Sequence, residues 1–187
     1  MSTLVAPKVL ILASGGIDSS LCIHRQKSEG ASIRCLHVDF GQVAAKEEWA
    51  ALQRVAEFFK VSCIQITVRS SQVFIPGEVE GRNAFLVFTA LMFRQPSERL
   101  ICLGIHNGTP YYDCSPGFLT SVDRLVAEHT NSLVRVIAPL LGLQKPDIVA
   151  EFRSYSLPLQ LTYSCQSGLA VPCGKCLSCK DRSALGC

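Results

Sequence analysis

Two groups of residues in this chain have types and spacings that suit chemistry. The first is Ser14-Gly15-Gly16-Ile17-Asp18-Ser19-Ser20, directly after the apolar run Val9–Ala13. Two glycines let the backbone turn tightly and bring N–H groups close to a ligand. A helix following them adds unpaired N–H groups and a partial positive charge at its first turn. Together these make an anion site of the kind that takes phosphate. The helix terminus alone contributes only about 0.3–1 kcal/mol. Gripping a polyphosphate therefore needs the whole set of donors, with the hydroxyls of Ser14, Ser19 and Ser20 added to the backbone. The plainer alternative is a glycine-rich strand-to-helix turn capped by Asp18 or Ser19. No Lys-Ser or Lys-Thr closes the loop and there is no G-x-G-x-x-G, so neither of the two common nucleotide loops applies.

The second group is Cys165-x7-Cys173-x2-Cys176-x2-Cys179. Four thiolates suffice for a closed tetrahedral Zn²⁺ site, which has no open position and is therefore structural. Gly174 and the short spacings let successive sulfurs point at one centre, and Lys175, Lys180 and Arg182 offset the charge of four thiolates. An iron–sulfur cluster uses the same ligands, and a disulfide pair is the third possibility. Cys187 reads as a free terminal thiol. The other five of the ten cysteines are scattered, mostly in apolar stretches, as buried cysteines usually are.

Alternating elements position these residues. Val9–Ala13, Ile33–Val38, Val61–Val68, Leu100–Leu103 and Leu133–Ile137 read as strands. Between them, Ile17–Glu29, the face Trp49/Leu52/Ala56/Phe59, Phe85–Phe93 and the stripe Phe118/Val122/Leu125/Val126/His129 read as helices. Pro146 suits the first turn of a last helix through Phe152. The pattern predicts an α/β fold: a doubly wound, mainly parallel sheet with helices on both faces. One domain is expected over residues 1–187, with 157–187 a zinc-binding C-terminal segment. Ligands of such sheets bind beyond the carboxyl ends of the strands. Ser14–Ser19, His37–Gln42 and Gly104–Cys114 all fall there, which predicts one composite site.

Of the 187 residues 48% are hydrophobic and 18% charged, which excludes a disordered chain. A net charge of +3 is far from that of a nucleic-acid coat, and no nucleic-acid partner is expected. The longest apolar stretch, Ala84–Phe93, is too short to span a bilayer. Clustered cysteines fit a reducing compartment, so a cytoplasmic protein without a membrane partner is expected.

The order of motifs resembles the 7-cyano-7-deazaguanine synthases, the QueC family of ATP pyrophosphatases with a PP-loop. The resemblance runs over nearly the whole chain. It includes Ser14–Ser20, His37-Val38-Asp39-Phe40-Gly41-Gln42, Ile75-Pro76-Gly77 and Glu80-Gly81-Arg82-Asn83. It continues through Tyr112-Asp113-Cys114, Pro139-Leu140 with Lys145, Thr162-Tyr163-Ser164-Cys165, the remaining three cysteines and Arg182. It implies that 7-carboxy-7-deazaguanine is adenylated by ATP with Mg²⁺, then converted with ammonia through the amide to the nitrile, in queuosine biosynthesis.

It further implies that Ala13, Ser14, Gly15, Gly16, Ile17, Asp18, Ser19 and Ser20 hold ATP, with Asp18 beside Mg²⁺ and Lys145 on a phosphate. Arg82, Asn83 and Asp113 would hold the deazaguanine. Each has a plainer reading: Lys145 as a solvated helix-start lysine, Arg82 and Asn83 as a helix cap with a surface arginine, Asp113 as a turn stabiliser. Cys114 is a conceivable nucleophile with no base beside it in sequence. His37 and His106 read as packed or solvated. Family precedent implies a homodimer.

The chain departs from the family pattern at Val43-Ala44, where Arg-His is usual, and at Ser115, where Arg is usual. The loop before Ile75 is short. These departures motivate an alternative, a QueC-like enzyme of an anti-phage system that transfers the same acid to an amine of a partner protein.

Overall fold

The computed structural model describes residues 6–72, 74, 77 and 79–187. The Ile75-Pro76 part of the predicted family motif lies outside them. Five strands, β1 (Lys8–Leu12), β2 (Ser32–Asp39), β3 (Ser62–Thr67), β4 (Leu100–Leu103) and β5 (Arg135–Ile137), form one sheet in the order β3-β2-β1-β4-β5. Every neighbouring pair is parallel; Ile11 lies opposite Cys35 on one side and Cys102 on the other. The helices are α1 (Ile17–Ser28), α2 (Ala45–Phe59), α3 (Arg82–Phe93), α4 (Pro116–His129), α5 (Lys145–Ser154) and α6 (Leu177–Ala184).

The central strand is apolar throughout because both its faces are covered. Val9, Ile11 and Ala13 pack with Leu21, Leu52, Val55, Ile148 and Phe152 in the layer of α1, α2 and α5. Leu10 and Leu12 pack with Val87, Ala90, Phe118, Val122 and Val126 in the layer of α3 and α4. The chain runs from β1 outward to β3, then crosses back to β4 beside β1. That reversal places the crevice at the carboxyl ends of β1 and β4, where doubly wound sheets bind ligands.

Several boundaries differ from the sequence reading. The last strand begins at Arg135, not Leu133, because the N–H groups of Leu133 and Val134 turn back to Thr130, to its carbonyl at 3.0 Å and its hydroxyl at 3.2 Å, instead of joining the sheet. The third helix begins at Arg82, three residues before Phe85. Asp113, from a distant loop, satisfies a backbone N–H of its first turn, and no local signal encodes that. The C-terminal segment also contains α6, too short for periodicity to reveal. Among the described residues no helix is long and apolar enough to cross a membrane.

Candidate active site

The predicted phosphate loop joins β1 to α1. Gly15 has φ +72°, and a Cβ there would lie 2.4 Å from the Leu52 nitrogen and 2.8 Å from Ala51. The loop is thus pressed onto the backbone of α2. Gly16 is different: φ −82° and ψ 175° are open to any residue. Ala13 and Ile17 are buried in the core, so at these positions only the backbone is offered to a ligand. The N–H groups of Ser14 to Ser19 donate to no protein acceptor among the described residues, as expected of a loop opening a helix.

The Ser19 and Ser20 hydroxyls both turn back to donate to the Gly16 carbonyl, at 3.2 and 2.7 Å, and Ser20 is 1% exposed. Serines in a first helical turn readily bond a carbonyl three or four residues behind. In this arrangement the two hydroxyls are engaged with the loop's own backbone.

Asp18 and Lys145 meet although 127 residues apart. Lys145 Nζ lies 2.5 and 2.8 Å from the two carboxylate oxygens of Asp18. Lys145 is the first residue of α5, and Asp18 lies in the first turn of α1, so the pair bridges two helix N-termini. A cation at a helix N-terminus opposes the helix dipole. Asp18 compensates for this, and so would a bound phosphate.

The geometry is locked from the far end of α1. Arg25 Nε donates to Glu151 Oε1 at 2.7 Å, its other arm pairs with Glu151 Oε2, and Nη1 donates to the Pro139 carbonyl at 2.7 Å. Bidentate Arg–carboxylate pairs fix orientation as well as distance. Sequence reasoning missed this brace.

His106, set aside as packed or solvated, lies near the Asp18–Lys145 pair. Its Nδ1 is buried and has no hydrogen-bond partner among the described residues. Burial holds the imidazole below its ordinary range, with Asp18 pulling upward and Lys145 downward. His37 is a packed residue, 2% exposed. Its Nε2 faces Glu48 at 3.2 Å and its Nδ1 faces Gln65 at 3.2 Å. Gln42 donates to the same Glu48 oxygen at 3.0 Å, so this network fixes the chain between β2 and α2.

The structure also brings Arg82, Asn83 and Asp113 together. Asp113 Oδ2 accepts the Asn83 backbone N–H at 3.3 Å, and Asn83 Nδ2 donates to the Asp113 carbonyl at 2.9 Å. Arg82 Nε approaches Asn83 Oδ1 at 3.4 Å. Asp113 thus caps α3 from outside it. Cys114 donates weakly to Asp113 Oδ1 across 3.7 Å, and burial pushes its thiol above the ordinary range. This cluster follows β3 and β4, and the phosphate loop follows β1, so both lie at the carboxyl edge of the sheet.

The ligand atoms of Cys165, Cys173, Cys176 and Cys179 all lie within 4.8 Å of one another. Zinc with Zn–S bonds of about 2.3 Å sets tetrahedral sulfurs about 3.8 Å apart, and Cys173 and Cys179 are 3.9 Å apart. That separation is far longer than the bond of about 2.05 Å in a disulfide. The Cys173 sulfur accepts from the Ser167 hydroxyl at 3.4 Å, the Cys176 N–H at 3.3 Å and the Lys175 N–H at 3.4 Å. With Ser167 contributing most, these donors hold its thiol down to about 5, in the thiolate form that binds metal. The donor set fits a metal ion.

The chain is similar to several known proteins. A 7-cyano-7-deazaguanine synthase of Prochlorococcus marinus (strain MIT 9215) is 30% identical over 211 residues, covering 97% of this chain and 94% of that protein. A 7-cyano-7-deazaguanine synthase of Aquifex aeolicus (strain VF5) is 28% identical, covering 93% of this chain and 94% of that protein. Among solved structures, the NH3-dependent NAD synthetase of Campylobacter jejuni superposes with a TM-score of 0.49 at 17% identity, covering 87% of this chain and 72% of that one. The family model described as queuosine biosynthesis protein QueC matches residues 8–77 and 71–185. Those two stretches carry both the phosphate loop and the cysteine tail, and the chain belongs to the QueC family.

Proposed function

We propose that this chain is an ATP-dependent carbon–nitrogen ligase that converts 7-carboxy-7-deazaguanine to 7-cyano-7-deazaguanine. The observation that carries the reading is the Asp18–Lys145 pair across two helix N-termini, beside a loop whose N–H groups await an acceptor. Family membership and the names of the relatives supply the substrate.

A carboxylate resists attack because its charge repels nucleophiles and its oxygen leaves poorly. In the proposed reaction a carboxylate oxygen of the substrate attacks the α-phosphorus of ATP, and the bond to the β-phosphate oxygen breaks. The N–H groups of Ser14 to Ser19 hold the departing pyrophosphate, and Lys145 offsets its charge. Arg82, Asn83 and Asp113 hold the deazaguanine so that the carboxylate faces phosphorus. Ammonia then attacks the acyl carbon, AMP leaves, and a proton is released. The amide oxygen repeats the attack on a second ATP, and loss of AMP and a proton leaves the nitrile. Asp18 is the residue that would hold Mg²⁺, which supplies charge neutralisation on the phosphates. The four cysteines would hold a structural Zn²⁺.

The test is mass spectrometry of loaded enzyme with the acid, MgATP and ammonium. Nitrile, with two AMP formed for each, is the expected product. AMP and pyrophosphate without nitrile, together with a partner protein gaining the acyl mass at an amine, would replace ammonia by a protein acceptor. ATP binding with no AMP release in the presence of the acid would overturn the ligase reading.

A further inference from the structure

The cysteine tail and the phosphate loop touch, and the contact runs through Tyr163. Its backbone N–H donates to the Gly15 carbonyl at 3.0 Å. Its own carbonyl lies 3.4 Å from where a Gly16 Cβ would stand. One peptide segment of the tail therefore flanks both loop glycines.

That segment is held in turn by the metal-ligating region. Cys165 lies two residues further on, and its sulfur accepts the Cys173 N–H at 3.4 Å. The Tyr163 hydroxyl donates to the Leu169 carbonyl at 2.9 Å, within the stretch joining those two cysteines. From the other side, Arg182 of α6, the helix that carries Cys179, donates to Thr162 Oγ1 at 3.0 Å and Ser164 Oγ at 3.3 Å. Gly168, with φ +64°, sits so close to the Val43 carbonyl that a Cβ would lie 2.2 Å from it. Leu157, Leu159, Leu161, Leu185 and Cys187 anchor the two ends of the tail on the main core, whereas its cysteine-bearing middle has only a small cluster of Ala44, Ala51, Tyr163, Cys165 and Cys179. So small a cluster does little to order that middle stretch by itself, and small metal sites supply folding free energy there.

We propose that the four-cysteine tail sets the geometry of the phosphate loop, so that metal occupancy and ATP affinity are linked, with Tyr163 the positioning residue between them. This rests on the reading of the β1–α1 loop as the ATP site. Linkage is reciprocal: the factor by which metal tightens ATP binding is the factor by which ATP tightens metal binding. Couplings of this type amount to roughly 5–150-fold.

Two measurements test it. In the first, ATP is titrated calorimetrically into loaded protein and into protein stripped by a zinc chelator and checked for native far-UV dichroism. Metal affinity is measured by dye competition with and without ATP. The expected result is weaker ATP binding on stripping, by a factor matching the gain in metal affinity with ATP. In the second, loaded Tyr163→Phe keeps the ring and all four ligands but loses the hydrogen bond to Leu169. Its metal content and melting temperature should match the parent's while its ATP affinity falls several-fold. Tyr155→Phe, at an exposed position, should change neither.

If stripping unfolds the chain, the Tyr163 variant decides alone. Equal ATP affinity in stripped, folded protein and in loaded protein overturns the proposal, as does a Tyr163→Phe variant that binds ATP like the parent. Loaded parent protein with no ATP affinity at all overturns the phosphate-loop reading itself, an outcome distinct from binding without coupling.

Discussion

Gly15 and Gly16 are adjacent and chemically identical, yet the structure assigns them opposite tolerance. Gly15→Ala forces an L side chain into the left-handed region at φ +72°, which costs about 1–2 kcal/mol. Its Cβ would also meet main-chain atoms of Ala51 and Leu52 at 2.8 and 2.4 Å, and backbone in the middle of α2 cannot swing aside. Overpacking of this kind adds about 1–3 kcal/mol. The sum is about 2–5 kcal/mol, or a fall of about 4–20 °C in melting temperature for a chain of this length. At Gly16 the backbone is extended, and the nearest neighbours of a Cβ are the Tyr163 carbonyl at 3.4 Å and Ser14 Oγ at 3.5 Å, ordinary contacts. Removing a glycine from the unfolded chain returns about 0.4–1 kcal/mol, so Gly16→Ala should melt about 1–4 °C above the parent. Calorimetric melts of the two metal-loaded variants, run beside the parent, make the comparison. Equal losses, or a larger loss at Gly16, would refute the claim that the loop is braced against α2 at Gly15.

Lys145→Met removes the charge expected on the departing pyrophosphate and should slow acid-dependent AMP formation by about 10²–10³; unchanged AMP formation would remove Lys145 from the mechanism. Its melting point should move little, because an ion pair whose side chains are 26% and 28% exposed is still screened by solvent and contributes about 1 kcal/mol. Cys176→Ser should lower metal content and melting temperature together, whereas Cys63→Ser, outside the cluster, should leave elemental zinc analysis unchanged. Burial pushes Glu98 up, but two hydrogen bonds from Arg34 and one from the Gln95 N–H hold it below its ordinary value of 4.5. A depressed carboxyl contributes stability that is present above pH 4.5 and lost as pH falls through the lower folded value. Melting temperatures measured against pH should therefore fall less steeply below pH 4.5 in Glu98→Gln than in the parent.

Much of the fold is legible because burial on two faces leaves a mark in the chain. The run Val9–Ala13 is uninterrupted by polar residues, since one set of its side chains faces α1, α2 and α5 and the other faces α3 and α4. The cysteine spacing is legible for a similar reason: ligands to one ion must be close in a short loop, and the sulfurs are within 4.8 Å. What is not legible is any contact set by the sheet as a whole. No local pattern links Asp18 to Lys145, or Arg25 to Glu151, across more than a hundred residues. Nor does residue type show where a hydroxyl turns. Ser19 and Ser20 read as ligand donors, and their hydroxyls here turn to a carbonyl one turn back.

The departures from the family pattern also gain a physical account. Ser115 stands where the resemblance leads one to expect an arginine, and here its hydroxyl accepts the Phe118 N–H at 3.1 Å while Pro116 opens α4. An arginine has no side-chain acceptor, so restoring it would cost the cap, about 0.5–2 kcal/mol. Ala44, where the resemblance leads one to expect a histidine, is 5% exposed and packed with Tyr163, Cys165 and Cys179. An imidazole would not fit that cluster unless the tail moved. Val43 presents its carbonyl to Gly168 and leaves its side chain half exposed. In this chain the three positions therefore serve the entry to α4 and the seat of the cysteine tail. In the proposed reaction the cations at this edge would be Lys145, paired with Asp18, and Arg82, beside Asn83.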